Sequence, residues 1–405
     1  MKNVFEKTNF ESSIANRIAS LTESPVFLIV LLSILGGAIR FMGRRFISLD
    51  MTFYLRPWAN EMISYGGLAS LGHQVGDYNI PYQFILAIMT CLPIKIEYAI
   101  KLLSILFDYL LAIAAGMLVE TCASKNTGTK RIDFAFVYGY ALVMFIPSII
   151  FNSSFWGQCD SIYAFFVVLS ITYLLRGKYV RSFSLLGIAF AFKLQTVIVV
   201  PFFLFYYFSK DRTYSLIAFF ISIFSFFAVS IPGYLSGRNF LAPIEIYTNQ
   251  TTEYPFMSLN FLSFWNIAGT DYINLAHVAI ALTAIILIIG FVLITKRTFN
   301  MSEWLLIACW TSWTVVLFLP SMHERYAYVP LILTCCTAFH YRKALPFALA
   351  GIIADLMTYG AYLFGVSYDQ HSASIIMFVL YCIGTYMFFK KLRHAKSATQ
   401  SCALN

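Results

Sequence analysis

The sequence predicts an all-α polytopic membrane protein. Three observations carry that expectation: the composition, the length of the apolar runs and the placement of the basic residues. Of 405 residues, 60% are hydrophobic and 12% charged, whereas a soluble domain carries about 25% charged residues. So little polar surface cannot face water on all sides, and the bilayer is the natural solvent. The whole chain, 1–405, reads as a single membrane domain.

A span needs about 20 predominantly apolar residues. Runs of that kind lie at 24–42, 97–120, 133–151, 160–175, 214–232, 275–295, 302–320, 326–341, 344–364 and 373–390. The first follows a polar segment, 1–23, with no cleavable signal pattern, and is expected to stay as an anchor. The stretch 182–208 carries Lys193 near its middle and Pro201 beyond it. It reads as two short helices broken near Lys193, a break tolerated in a membrane where it lines a cavity. One long tilted helix is the alternative. The broken pair brings the total to about 12 spans.

The net charge of +9 is not a nucleic-acid signature, because the basic residues sit in short clusters between apolar runs. The positive-inside rule puts such clusters in the cytoplasm. Lys2, Lys7 and Arg17 place the N-terminus there. The loops bearing Lys125 to Arg131, Arg176 to Arg181, Lys210 and Arg212, Lys296 and Arg297, and Arg342 and Lys343 follow, as does the tail 391–405. This arrangement holds only with the broken pair; a single helix at 182–208 inverts every later loop. Two large external loops then remain, 43–96 and 233–274, and the first contains a short apolar stretch, 80–93, expected as an interfacial or re-entrant helix. Most of the eight cysteines, among them Cys159, Cys309, Cys335, Cys336 and Cys382, lie inside apolar runs without metal-ligand spacing and read as small hydrophobes.

Polar residues at membrane depth are expensive and point to function. Asp50 follows the first span, with Arg40, Arg44, Arg45 and Arg56 nearby; pairing with one of those arginines is the structural alternative. Asp77 and Tyr78 sit in the turn Gly76-Asp77-Tyr78-Asn79-Ile80-Pro81, where Asp77 is either a site residue or the cap of the following helix. Trp156, Gln158 and Asp160 form Trp156-Gly157-Gln158-Cys159-Asp160 at a span mouth. Trp156 is alternatively an interfacial anchor. Lys193 and Gln195 interrupt an apolar run, and a buried ammonium there needs a counter-charge or an anionic ligand unless it snorkels. His323, Glu324 and Arg325 stand in a row between two spans. Arginine offers a bidentate fork and histidine a titratable donor, which suits a phosphate; a solvated turn is the alternative. Asp108 and Asp355 lie within spans and carry no assigned role, though Asp108 has Lys101 as a candidate partner.

In this order, these elements resemble the GT-C superfamily of polyprenyl-phosphate-sugar-dependent glycosyltransferases, and in particular bacterial relatives of the GPI-anchor mannosyltransferases. The lipid-linked glucosyltransferases of N-glycosylation are similar more distantly. Their Tyr-Pro-Pro turn, His-Phe-Gln-Tyr segment, Lys-Gln pair and His-Glu-Lys segment stand where this chain has Tyr78-Asn79-Ile80-Pro81, Trp156-Gly157-Gln158-Cys159-Asp160, Lys193-Leu194-Gln195 and His323-Glu324-Arg325. The resemblance implies a GT-C-like fold whose large first extracytoplasmic loop carries interfacial helices and, shortly after the first span, the catalytic carboxylate. Asp50 occupies that place. It further implies a bacterial plasma-membrane protein that moves a single hexose, such as mannose, from a polyprenyl-phosphate carrier to a glycan, lipid or polymer acceptor on the extracytoplasmic face.

The expected chemistry is an inverting transfer with Asp50 as base and Asp160 as the alternative. His323, Glu324, Arg325, Lys193 and Gln195 would hold the donor phosphate and sugar. Asp77, Tyr78, Trp156, Gln158 and Asp160 would bind sugar or acceptor hydroxyls. No metal or other cofactor is required, and the expected partners are membrane lipid, the donor and the acceptor, not nucleic acid. A transporter or flippase of lipid-linked sugars is the rival class, but such proteins often show repeated halves with midplane sites, and no repeat is visible here. A surface-glycan polymerase is a third reading.

Overall fold

The computed structural model describes residues 23–123, 134–209, 214–295 and 297–393, with scattered positions from 11 to 21. The N-terminal basic residues, the Lys125 to Arg131 loop, Lys210, Arg212, Lys296 and the tail beyond Arg393 lie outside them. Most of the described residues are helical; their only strands are Ser258–Leu259 and Met322–His323, which pair in parallel. Six helices are long and apolar enough to cross a membrane: Pro25–Arg45, Ile96–Cys122, Tyr272–Ile294, Met301–Phe318, Arg342–Phe364 and Gln370–Arg393. A seventh follows if Ala135–Phe145 and Pro147–Trp156 count as one bent span. The chain is an all-α integral membrane protein.

The remaining apolar helices are shorter than a full span of about 20 residues: Asp160–Leu175 matches its run, whereas Ile217–Ala228 and Tyr328–His340 fall short of theirs. Asp160–Leu175 has 16 residues, about 24 Å at a rise of 1.5 Å per residue. Tyr179–Phe192, Leu194–Tyr207, Ile217–Ala228 and Tyr328–His340 are shorter still. Several of these sit at the centre. Asp160–Leu175 packs against Ile96–Cys122 and Tyr179–Phe192 and buries Ile162, Val167, Val168, Ile171 and Leu174 around its circumference. Such a helix must be apolar on every face. Tyr272–Ile294 instead turns Ile273, Ile280, Ile288 and Val292 outward, as a lipid-facing helix would.

Two breaks interrupt the apolar helices. The first is at Pro147, which has no N–H to continue the ladder; the axis turns by 55° there. Carbonyls freed by the break are taken by Arg40, which donates to Met144 O at 2.9 Å and Val143 O at 3.4 Å. The second is at Lys193, where the sequence predicts it. Its backbone is extended (φ −151°, ψ 133°), separating Tyr179–Phe192 from a 3₁₀ turn, Leu194–Val199, and the helix Val200–Tyr207.

Alternate junctions of the chain meet. The stretch after Pro25–Met42, the Trp156 to Asp160 turn, Lys193, the His323 to Arg325 turn and the end of Leu345–Phe364 come together. The intervening junctions meet elsewhere: Cys122 reaches Met301 O, Arg176 reaches Thr121, and Arg297 reaches Arg393 O. The helices therefore run up and down between two ends.

Candidate active site

The first group of junctions encloses a cavity of about 670 Å³, within the ~300–1,000 Å³ of small-molecule sites. Asp50, Asp77, Tyr78, Trp156, Gln158, Lys193, Gln195, His323, Glu324 and Arg325 all line it. Asp160 is buried directly behind the wall. The residues singled out in the sequence thus form one constellation, drawn from five separate stretches of chain.

Asp50 is held by the segment Phe151–Trp156, where the helix widens into a π-type turn, a feature frequent at functional sites. The segment ends at Gly157, whose φ of +80° favours glycine and whose added Cβ would lie 2.8 Å from Met51 Cε. Trp156 Nε1 donates to Asp50 Oδ2 at 2.8 Å, and Gln158 Nε2 donates to the same oxygen. Tyr362 OH donates to Oδ1. Ser48 fixes the approach by donating to Trp156 O at 2.7 Å while accepting from Met51 N. Tyr78 OH in turn donates to Gln158 Oε1 at 2.8 Å.

Three of the four nearby arginines have other partners. Arg40 pairs with Asp108 at 2.6 Å and Arg56 with Glu97 at 2.9 Å, while Arg44 lies over the Phe41 ring. Lys101 donates to the carbonyls of Gly43 and Phe46, so of the alternatives open for Asp108 the pairing with Lys101 is not the one formed; Arg40 takes its place. Trp156 is fully buried and is not an interfacial anchor. Nor does Asp77 cap the next helix: Asn79 does, accepting from Ile80 N at 2.8 Å.

Asp160 Oδ1 accepts from Lys193 Nζ, and Oδ2 accepts from Asn152 Nδ2 at 2.7 Å. Lys193 does not snorkel; Asp160 is its counter-charge. Arg325 sits between the two carboxylates, 3.6 Å from Asp50 Oδ2 and 3.9 Å from Asp160 Oδ2, with its guanidinium over the Trp156 ring at 5.2 Å. Both separations exceed hydrogen-bond length, and Arg325 Nε has no acceptor although it is buried. Its fork is therefore unfilled among the described residues.

His323 belongs to the short strand paired with Ser258–Leu259, and its ring stands against Tyr254 and Tyr326. Ser321 and Asn260 flank this ladder with positive φ of 60° and 52°, backbone strain of the kind that clusters at functional sites. Burial, and after it the Arg325 charge, push the His323 imidazole down to about 3. In the ligand-free molecule it is thus neutral near pH 7, which corrects the expectation of a donor titrating there. Burial pushes the Glu324 carboxyl up to about 7, against the pull of Arg325. Farther out, Asp77 is raised by burial and by the neighbouring Glu253 charge.

The sequence reading missed Tyr362, Asn152 and Tyr254. Asn152 had a signal, since Asn152-Ser153-Ser154 is a polar run at the end of an apolar helix. Tyr362, in a helix otherwise rich in apolar residues, had none. No family model and no curated protein matches the chain.

Proposed function

We propose that this protein is an inverting GT-C-type glycosyltransferase that moves one hexose from a polyprenyl-phosphate carrier to a hydroxyl acceptor at the extracytoplasmic membrane surface. The carrying observation is the arrangement of Asp50 and Arg325. One is a carboxylate with an oxygen still open to a substrate hydroxyl, and the other is a cation whose hydrogen-bonding fork is unfilled; both face one cavity.

Asp50 Oδ2 already accepts two hydrogen bonds, whereas Oδ1 accepts one, from Tyr362. A lone pair on Oδ1 remains for the proton of an acceptor hydroxyl. Asp160 suits the base role less well, because Lys193 and Asn152 already occupy its oxygens and it does not line the cavity. In the reaction, the acceptor oxygen forms a bond to the anomeric carbon as the bond from that carbon to the phosphate oxygen breaks. The acceptor proton passes to Asp50 Oδ1, and the polyprenyl phosphate leaves with the electron pair. Arg325 meets its charge through the free fork, with a single N–H from His323 alongside. One base and one displacement give inversion.

The short helices are part of the same proposal. Read as spans, they bring the total to about 12, with each junction that lines the cavity outside and both termini in the cytoplasm. The setting proposed is the bacterial plasma membrane, with lipid surrounding the apolar helices.

The test is turnover by purified protein in detergent, with polyprenyl-phosphate hexoses as donors, candidate glycans and lipids as acceptors, and mass spectrometry of the products. Addition of a single hexose supports the transferase. Movement of lipid-linked sugar across vesicles without chemical turnover would replace it by a flippase, and block transfer of an oligosaccharide by a polymerase.

A further inference from the structure

Beneath the cavity lies a second polar centre that the mechanism does not use. Asp108, in the middle of Ile96–Cys122, is wholly buried. Its Oδ2 accepts from Arg40 Nε at 2.6 Å and from Ser153 Oγ at 2.5 Å, and its Oδ1 accepts from Ser161 Oγ. The Ser161 hydroxyl is also 3.1 Å from Tyr328 OH.

Each of these partners is a near neighbour in the chain of a site residue. Ser153 follows Asn152, which holds Asp160, and precedes Trp156, which holds Asp50. Ser161 follows Asp160. Tyr328 donates its backbone N–H to Arg325 O at 3.2 Å. Arg40 lies in the last turn of the helix Pro25–Met42, which leads to Asp50, and also secures the carbonyls freed at Pro147, where the chain bends toward Trp156. A single carboxylate therefore ties together the segments that set where Asp50, Asp160 and Arg325 stand relative to one another.

We infer that Asp108, through Ser153 and Ser161, is a positioning residue that fixes the spacing of the Asp50 and Asp160 halves of the site. Its catalytic consequence rests on the proposed transferase activity. Its geometric consequence does not. Misplacement of reacting groups by about 1 Å can cost a hundredfold in rate, and residues that act through one shared partner give non-additive effects.

The experiment uses Ser153→Ala, Ser161→Ala and the double variant, which remove hydroxyls without leaving a charge unpaired, in the full-length protein. Each single variant is expected to lower kcat about tenfold with the KM for donor within twofold, and the double variant to fall short of the product of the two. Fluorine NMR of protein labelled with fluorotryptophan, with the Trp156 signal assigned by its loss in Trp156→Phe, reads the geometry independently of turnover. Trp156 is one of six tryptophans. The Trp156 resonance is expected to shift in Ser161→Ala while the other signals stay. An unmoved Trp156 resonance, or a rise in KM at unchanged kcat, would overturn the inference. A shifted resonance in a protein whose wild type transfers no sugar would retain it and discard the transferase.

Discussion

Two arginine–carboxylate groups meet the same stretch of chain, Asn152 to Ser161, and they are built in opposite ways. In the lower one, Arg40 is wholly buried and each of its three nitrogens donates: Nε to Asp108 at 2.6 Å, Nη1 to Met144 O at 2.9 Å and Gly36 O at 3.2 Å, and Nη2 to Val143 O at 3.4 Å. In the upper one, Arg325 is partly open to the cavity, stands 3.6 and 3.9 Å from two carboxylates and leaves Nε without an acceptor. A buried charge that is fully hydrogen-bonded serves the fold. One held close to anions but not bonded to them has donors to spend on a ligand. The contrast separates structural from functional charge inside one membrane body, where cost alone would have marked both as functional.

Substitution of the two arginines tests that division most strongly. Arg325→Met should reduce transfer by about 10²–10³-fold, the usual effect of losing a donor to a developing charge, with little change in thermal midpoint. Arg40→Met leaves Asp108 buried without its cation, and breaking such a pair costs about 3–5 kcal/mol. Its thermal midpoint and folded yield should drop sharply. If Arg325→Met destabilised the protein as much as Arg40→Met did, the division would fail.

A smaller effect sharpens the description of the upper group. Glu324 is protonated below about pH 7 and ionised above it. The ionised form repels a phosphate, so donor affinity should weaken as pH rises through 7, by at most tenfold per pH unit for one linked proton. Donor titrations at pH 6 and pH 8 measure this, and Glu324→Gln should flatten the dependence. His323, pushed down to about 3 in the ligand-free protein, contributes little in that window. A Kd that tightened with rising pH would contradict the assignment.

Smallest of all, Asn79→Ala should cost about 1 kcal/mol, as loss of a helix cap does, and should leave kcat unchanged. An equal loss on Asp77→Ala would return the cap to Asp77.

Much of the site was legible in the sequence because charge inside an apolar run has few explanations. Lys193, Asp160 and the row His323 to Arg325 stand out for that reason, and the break at Lys193 follows from the same ammonium. What could not be read is who pairs with whom. Asp50 has four arginines near it in sequence, yet the cation beside it comes from Arg325, far along the chain. Asp108 takes Arg40 rather than the closer Lys101, because Lys101 is drawn off by the carbonyls of Gly43 and Phe46. Tyr362 shows no excess of polarity around it and becomes visible only through its contact with Asp50. Helix lengths were overestimated where a hydrophobic run passes through a break, as at Pro147, since hydropathy averages over a bend that geometry does not.

The most direct measurement is a single-turnover assay of Asp50→Asn at saturating donor and acceptor, alongside a donor binding titration. The substitution keeps the shape of the side chain and removes its basic oxygen. With Asp50 as base, the chemical step should slow by about 10²–10⁴-fold while donor Kd stays within about threefold. Turnover above about a tenth of the wild-type rate would contradict the account.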